Sequence, residues 1–153
     1  MEYRAIYHSP FGDIELTSNG TALTALRFTK NGRAEGMCES IGDVRRWLDD
    51  YFAGHIPDFT LPVAPQGTPF QQRVWRELLN IAYGRTITYG DIARRVGCRS
   101  SQAVGQAVGR NPIALIIPCH RVIGSDGSLT GYAYGLDLKH QLIQLEEKNI
   151  HIT

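Results

Sequence analysis

A cysteine and a histidine stand side by side in the segment 118–122, which reads Pro-Cys-His-Arg-Val. A thiol becomes a strong nucleophile when it loses its proton, and a nearby base or cation promotes that loss near neutral pH. Pro118 restricts the backbone just before the cysteine, and the apolar run 113–117 precedes it. Thiol and imidazole at a stiff corner after a buried segment predict a reactive Cys119 rather than a packing cysteine.

The composition is typical of a globular chain, with 153 residues, 42% hydrophobic and 20% charged. This length allows one compact domain or two small lobes. No apolar run is as long as a membrane span, and the start lacks a signal-peptide pattern, so we expect no membrane partner and a cytoplasmic protein, or a nuclear one in a eukaryote. Three widely spaced cysteines form no disulfide framework and favour a reducing compartment.

Charge is distributed unevenly along the chain. Residues 1–65 carry 6 basic and 9 acidic side chains, whereas residues 66–153 carry 10 basic and 6 acidic ones. The basic half also holds Cys119. A polyanionic partner for that half is one interpretation, and chance unevenness is the other.

Strand patterns dominate the first 65 residues. The turn pair Asn19-Gly20 predicts a hairpin, and Ser40 with Asp43 predicts the start of a helix that ends near Gly54. The segment 61–67 has the composition of a linker. The expected strands are Tyr3–Ser9, Asp13–Ser18, Thr21–Thr29 and a short one at Phe59–Leu61.

Helix signals dominate residues 66–153. Thr68 before Pro69 predicts one helix start, Thr88 with Asp91 predicts a second, and Ser100 or Ser101 predicts a third. The last two helices are separated by a short turn containing Gly97, a pattern typical of a helix-turn-helix, although an ordinary helical hairpin also fits. We therefore predict two domains, 1–65 and 66–153.

The third of these helices has unusually small side chains over 103–109, including two glycines. Glycine destabilises a helix, so its presence calls for a reason such as close approach of another backbone. A nucleic-acid groove and tight packing on the preceding helix are the two explanations that the sequence leaves open.

Together these features resemble the O6-alkylguanine-DNA alkyltransferases, also called methylated-DNA–protein-cysteine methyltransferases. The resemblance rests on the 118–122 segment with the helix-turn-helix and Asn111-Pro112 before it, and Gly124–Gly127, Gly131-Tyr132 and a late Leu-Glu after it. It is strong over 68–147, whereas the first half matches only in size and strand content. It implies an α+β fold, with a small ribonuclease-H-like antiparallel sheet and a helix followed by a helical domain with a winged helix-turn-helix.

The resemblance also implies direct-reversal DNA repair without a cofactor. One irreversible transfer would move the alkyl group of O6-alkylguanine to Cys119, with O4-alkylthymine as a further candidate substrate. His120 would act as general base through a water, and Glu146 would orient it, as in other nucleophilic triads. Glu147 is the rival carboxylate, but family spacing and helical phase favour Glu146. Asn111 would brace the turn before the cysteine.

The partner implied by the resemblance is double-stranded DNA, bound through its minor groove by a monomer with the target base flipped out. Tyr89 would help rotate the nucleotide and donate a hydrogen bond to the purine. Tyr132 and the backbone of Cys119, Val122 and Ala133 would line the base pocket. The residues expected to contact DNA are Arg99, Gln102, Ala103, Arg110 and Arg121.

Two positions depart from the family pattern. Gln102 stands where an arginine commonly fills the gap left by the flipped base, which predicts weaker DNA affinity. Tyr134 stands near the pocket where glycine is common, which predicts a change in the alkyl groups accepted. We expect no metal, because Cys38, His8 and His55 are too few ligands for a zinc site in the first half.

Two other classes of protein share part of this pattern. A non-catalytic lesion-binding module would have the same architecture without the cysteine, so the presence of Cys119 and Glu146 argues against it. A cysteine hydrolase could use Cys, His and Glu, but it leaves the helix-turn-helix unexplained.

Overall fold

The computed structural model describes residues 2–34, Gly36 and 38–151, which form two compact units divided between Gln66 and Gly67. The first unit is a three-stranded antiparallel sheet with one helix. Its strands are β1 (Tyr3–Ser9), β2 (Gly12–Ser18) and β3 (Leu23–Phe28), and its helix is α1 (Glu39–Phe52). The strands lie in sequence order, joined by short turns, so β2 is central. The predicted N-terminal sheet is confirmed.

The core of the first unit lies between the sheet and α1. Ile14 and Leu16 on the central strand are fully buried, as are Ile41, Leu48 and Tyr51 on the helix. These helical positions follow the three-to-four-residue spacing that puts side chains on one face. Burial of this face, rather than intrinsic helix propensity, holds α1 against the sheet.

Two predicted boundaries in this unit are wrong. Helix α1 begins at Glu39, with Cys38 rather than Ser40 as its N-cap residue. The hydroxyl of Ser40 instead makes a 2.6 Å hydrogen bond to that of Ser18 on the sheet. No strand forms at 59–61; the strand-like pairing lies further on, where the backbone of Leu23 bonds to Pro62 and Ala64.

The second unit is mainly helical. Its elements are α2 (Pro69–Leu78), β4 (Ile87–Thr88), α3 (Tyr89–Val96), α4 (Ser101–Gly109), a 3₁₀ turn (Cys119–Arg121), β5 (Val122–Ile123) and α5 (Leu136–His151). β4 and β5 form a short parallel pair. The α+β fold class is therefore confirmed, whereas a wing on the helix-turn-helix stays a prediction.

The helix starts follow the predicted local signals. The side chains of Thr68 and Thr88 each accept a hydrogen bond from the backbone N–H three residues later. In return, the side chains of Gln71 and Asp91 accept one from the backbone N–H of the same threonine, which completes a capping box. Ser100 caps α4 in the simpler way, by accepting a bond from the Ala103 N–H at 3.1 Å. These caps fix where each helix points, and therefore where the face of α4 lies.

A short turn joins α3 to α4, and α2 packs against α4. Gly97 ends α3 with φ +71°, a left-handed conformation that favours glycine. The buried indole of Trp75 on α2 donates a 2.8 Å hydrogen bond to the carbonyl of Ala107 on α4. This bond holds α4 against α2 in the core of the second unit.

In the part of the chain that the structure describes, no helix combines the length and the apolar character needed to cross a membrane.

Candidate active site

Cys119 opens the 3₁₀ turn at the end of a buried loop. The preceding residues Ile113, Ala114, Leu115 and Ile117 are at most 1% exposed, and Cys119 itself is 7% exposed. Leu115 has φ +69°, which is rare and strained for a residue with a branched side chain. Such a backbone persists only where its surroundings hold it, and such strain often accompanies functional sites.

Asn111 supplies much of that support. Its side-chain nitrogen donates a 2.7 Å hydrogen bond to the carbonyl of Ile117, and its side-chain oxygen accepts one of 3.0 Å from the N–H of Ile113. Both bonds are buried, so the amide spans the loop from its first residue to the one before Pro118. Asn111 therefore closes the loop that presents Cys119.

His120 and Glu146 form a buried pair next to the cysteine. His120 Nε2 lies 2.5 Å from Oε2 of Glu146, and both side chains are shielded from solvent. An ionised carboxylate can only accept, so Nε2 carries the proton and donates it. The other ring nitrogen, Nδ1, is buried and makes no hydrogen bond to any described residue. Its lone pair is therefore available to accept a proton.

The carboxylate of Glu146 gathers two further donors. Its Oε1 accepts a 2.7 Å bond from Nε of Arg121 and a 3.1 Å bond from the N–H of Gly84. Gly84 has φ +79°, and a side chain there would collide with Ile150, so only glycine lets this backbone approach. Two donors besides His120 therefore fix the carboxylate.

Arg121 is not placed to contact DNA, contrary to prediction. It is 8% exposed, and besides Glu146 it donates a 2.7 Å bond to the carbonyl of Ile81. Its guanidinium also lies over the ring of Tyr83, 5.6 Å from the centroid. These contacts leave Arg121 inside the unit, where it neutralises and positions Glu146.

The protonation states follow from burial and from these contacts. Burial would raise the pKa of Glu146, but the hydrogen bond and charge of His120, together with Arg121, lower it to about 2. Burial lowers the pKa of His120 although Glu146 opposes this effect. Near neutral pH, Glu146 is therefore charged and His120 is neutral, as a general base must be.

Burial keeps the Cys119 thiol in its protonated form. Burial raises its pKa, while hydrogen bonding by Asn111 and the charge of Lys139 act to lower it. A buried thiol with a raised pKa is mostly protonated near neutral pH. Its activation therefore depends on a base that can take the proton and on nearby positive charge.

Cys119 lies at the inner end of a pocket. The pocket is also lined by Val108, Gly109, Asn111 and the loop 131–134. It is adjoined by a wider, more open groove lined by Tyr89, by the α4 residues Gln102, Gly105, Gln106 and Gly109, and by 130–133. Tyr132 and Ala133 line both cavities, so the groove that Tyr89 and Gln102 line lies next to the pocket of Cys119.

Tyrosines shape the groove and the pocket. The hydroxyl of Tyr89 donates to the carbonyls of Thr130 (3.1 Å) and Gly131 (3.3 Å), so Tyr89 holds the loop as well as lining the groove. Tyr132 and Tyr134 pack edge to face, with centroids 5.6 Å apart. The hydroxyl of Tyr132 is buried and has no partner among the described residues. It is a polar atom available to a ligand.

The glycines of α4 have free space around them. A methyl group added at Gly105 would come no closer than 4.0 Å to Tyr89, and one at Gly109 would meet nothing within 4 Å. Packing within the described part of the protein therefore does not require glycine at either position. The small residues leave the groove open. This favours the approach of a nucleic-acid groove over tight packing on the preceding helix as the reason for the glycines.

The remaining predicted DNA contacts lie at the surface of this unit. Gln102, Arg99 and Arg110 are exposed, and Ala103 is half-buried. Val122 is fully buried and begins β5 directly after the 3₁₀ turn.

Two residues at the site were missed by sequence reasoning. Gly84 gave no signal beyond a turn. Lys139 is 0% exposed and donates a 2.8 Å hydrogen bond to the carbonyl of Thr130. The available signal was its spacing on α5, where Leu142, three residues later on the same face, is fully buried.

Neither of the other two cysteines is among the residues that line this pocket. Cys38 precedes α1, where burial would raise its pKa but hydrogen bonds from Ser40 and Ser18 lower it. Cys98 is half-buried after α3. Among the described residues, no three His, Cys, Asp or Glu side chains are grouped as metal ligands would be.

Comparisons with known proteins match both units. Residues 69–148 match the DNA binding domain of 6-O-methylguanine DNA methyltransferase, and residues 3–65 match its ribonuclease-like domain. The chain is 49% identical to the methylated-DNA–protein-cysteine methyltransferase of Methanosarcina barkeri, with 97% of this chain and 99% of the relative covered. For the relative from Methanosarcina acetivorans, identity is 45%, and 94% and 97% are covered.

Solved structures agree with these matches. The O6-methylguanine methyltransferase of Mycobacterium tuberculosis superposes with a TM-score of 0.89 at 40% identity, covering 97% of this chain and 94% of that one. The same organism's OGT in complex with DNA gives 0.84 at 42% identity, covering 94% and 92%. As the resemblance predicted, the chain belongs to the 6-O-methylguanine DNA methyltransferase family, whose members are named methylated-DNA–protein-cysteine methyltransferases.

Proposed function

We propose that this protein repairs DNA by transferring the alkyl group of O6-alkylguanine to Cys119, once per molecule. The observation that carries the proposal is the position of Cys119 at the inner end of a pocket, backed by a neutral His120 that Glu146 holds. The family relationship supports the reaction, and the relative solved with DNA supports the partner. The roles of individual residues below belong to the same proposal.

Proton transfer prepares the nucleophile. Nδ1 of His120 accepts the Cys119 proton through a water molecule, because neighbouring residues seldom point at each other. The resulting imidazolium is stabilised by Glu146, whose carboxylate already accepts from Nε2. Asn111 keeps the strained loop in place while the thiolate forms.

The transfer itself is a single displacement. The thiolate sulfur attacks the alkyl carbon, the bond from that carbon to O6 breaks, and its electrons pass to the purine. A proton then restores guanine, while a thioether remains on Cys119. A thioether is a poor leaving group, and nothing in the site offers a route back to the thiol, so each molecule reacts once.

The base reaches the pocket by leaving the duplex, since O6 is inaccessible within it. The open groove beside α4 is the entry path, lined by Tyr89 and Gln102. Its slim face suits the narrow minor groove, with Arg99 and Arg110 exposed beside it to meet phosphates. Tyr132, with its free hydroxyl, and the backbone of Val122 and Ala133 would receive the base.

A single protein molecule is sufficient for this reaction. Cys119, His120 and Glu146 all belong to the second unit, so no second copy is needed to complete the site. We therefore propose that the protein acts as a monomer on double-stranded DNA.

Mass spectrometry tests the proposal directly. Wild-type protein incubated with duplex DNA containing O6-methylguanine should gain one methyl group, mapped to Cys119, and Cys119→Ala should gain none. Cys38→Ala and Cys98→Ala are the matched controls and should react like wild type. Continued turnover would indicate a hydrolase, and tight binding without mass gain would indicate a lesion-binding module; either outcome would overturn the proposal.

A further inference from the structure

Lys139 on α5 is a buried cation that the mechanism above does not use. It is 0% exposed and donates to the carbonyl of Thr130 at 2.8 Å. Its ammonium also lies 5.7 Å from the centroid of the Tyr89 ring. Lys139 makes no ion pair with a carboxylate within the described ranges. A buried charge without a counter-ion is costly, so its presence calls for a function.

The contacts of Lys139 place it against the wall of the pocket. Thr130, which it anchors, is followed directly by the loop 131–134 that lines the pocket with Cys119. Tyr89, whose ring it faces, donates to the same Thr130 carbonyl. Lys139 and Cys119 are close enough for their charges to interact.

The other titratable groups around the cysteine cannot supply positive charge. Tyr89 and Tyr132 are neutral phenols, since burial raises the pKa of each. His120 is neutral before it takes the proton. The charge of Arg121 is balanced by Glu146. Lys139, by contrast, has a pKa lowered by burial to about 8, so it is still mostly charged at pH 7.

We propose that Lys139 is the counter-ion of the Cys119 thiolate, held at the pocket wall by the Thr130 carbonyl and the Tyr89 ring. It is a positioning residue that keeps its own proton; the thiol proton still goes to His120. This inference rests on the proposed function for its purpose, but its test does not need DNA. The carbonyl and the ring orient the ammonium in the resting protein, and the thiolate completes its neutralisation when it forms.

The test follows the ionisation of Cys119 with iodoacetamide, a small alkylating reagent, across pH. Labelling at Cys119 is quantified by peptide mass spectrometry. Lys139→Met keeps the length of the side chain without its charge, and Lys148→Met removes an exposed lysine from the same helix as control. We expect Lys139→Met to slow labelling about tenfold at pH 7, where Lys139 is charged, and to have little effect above pH 9, where wild-type Lys139 has lost its proton. The high-pH plateau should not change.

A second measurement covers the case in which Lys139→Met does not fold. Lys139→Arg keeps the positive charge across this pH range, so at pH 9 it should be labelled faster than wild type, in which Lys139 has largely lost its proton. Equal labelling rates at pH 7 in Lys139→Met and Lys148→Met, or equal rates at pH 9 in Lys139→Arg and wild type, would overturn the proposal. Because no alkylated DNA is used, a failure of alkyl transfer would leave this result interpretable.

Discussion

Replacing Glu146 with glutamine removes the one negative charge that two buried groups share. The carboxylate accepts from His120 at 2.5 Å, and from Arg121 at 2.7 Å. A glutamine keeps the size of the side chain, but its NH₂ group would face donors. The guanidinium of Arg121 would stay buried without a counter-charge, and such losses typically cost about 3–5 kcal/mol.

The pKa of Glu146 gives an independent magnitude. It lies at about 2, compared with an ordinary value of 4.5. This difference corresponds to about 3 kcal/mol of stability at pH 7. Because the folded-state pKa is the lower one, this contribution is complete above pH 4.5 and is lost as the pH falls toward 2. We therefore expect Glu146→Gln to lower the free energy of unfolding by about 3 kcal/mol at pH 7, and by roughly half as much at pH 3.

Urea denaturation followed by the fluorescence of the buried Trp75, in a Trp47→Phe background that removes the signal of the first unit, measures this loss in the second unit. Glu147→Gln is the matched control, since Glu147 is the exposed neighbour on the same helix and should change stability by less than about 0.5 kcal/mol. The transfer rate should also fall at least tenfold in Glu146→Gln, because His120 loses its orientation. A loss of stability that is equal in the two variants, or absent from Glu146→Gln, would refute the reasoning.

Three further predictions concern DNA entry and pH. Gln102→Arg should tighten duplex binding roughly threefold to tenfold in anisotropy titrations at fixed salt, because it adds a cation beside the groove; unchanged affinity and repair rate would contradict this. Gly105→Ala should stabilise α4 by about 1 kcal/mol in thermal denaturation, yet slow transfer from duplex DNA while iodoacetamide labelling of Cys119 stays the same. If transfer is also unchanged, DNA does not require that glycine. Because burial lowers the pKa of His120, its imidazole should titrate below pH 6.5 when followed by NMR, and a midpoint at or above that value would contradict a neutral His120 at pH 7.

Local signals explain which parts of the fold were predictable. Thr68, Thr88 and Ser100 cap helices through bonds to residues three positions away, so the sequence alone locates those starts. Ser40 is a serine like Ser100, but it does not cap α1, because its hydroxyl bonds to that of Ser18 on a strand 22 residues earlier. A cap can be read locally only when no distant partner competes for the side chain.

The candidate site also combines residues that a local motif identifies with residues whose positions depend on distant partners. Cys119, His120 and Glu146 were identified from the motif and the family resemblance, and the structure brings the last two into contact. Arg121 was expected to contact DNA on the family resemblance, and its burial contradicts the usual exposure of arginine. Its burial depends on Glu146 and on the carbonyl of Ile81, 25 and 40 residues away, which no local pattern reveals. Lys139 differs, because its position on the buried face of α5 was a local signal, although its contacts with Thr130 and Tyr89 could not be predicted from it.

Lys139→Met and Glu146→Gln should slow the transfer reaction for different electrostatic reasons. Lys139→Met removes positive charge near Cys119, so it should lower the fraction of Cys119 that is thiolate at pH 7. Glu146→Gln leaves the positive charge of Arg121 unbalanced, so it should not lower that fraction. Both variants should nevertheless transfer more slowly at pH 7, the first because fewer thiolates form and the second because the base is no longer held. Raising the pH should therefore rescue Lys139→Met far more than Glu146→Gln, since only the first defect lies in the ionisation of the thiol.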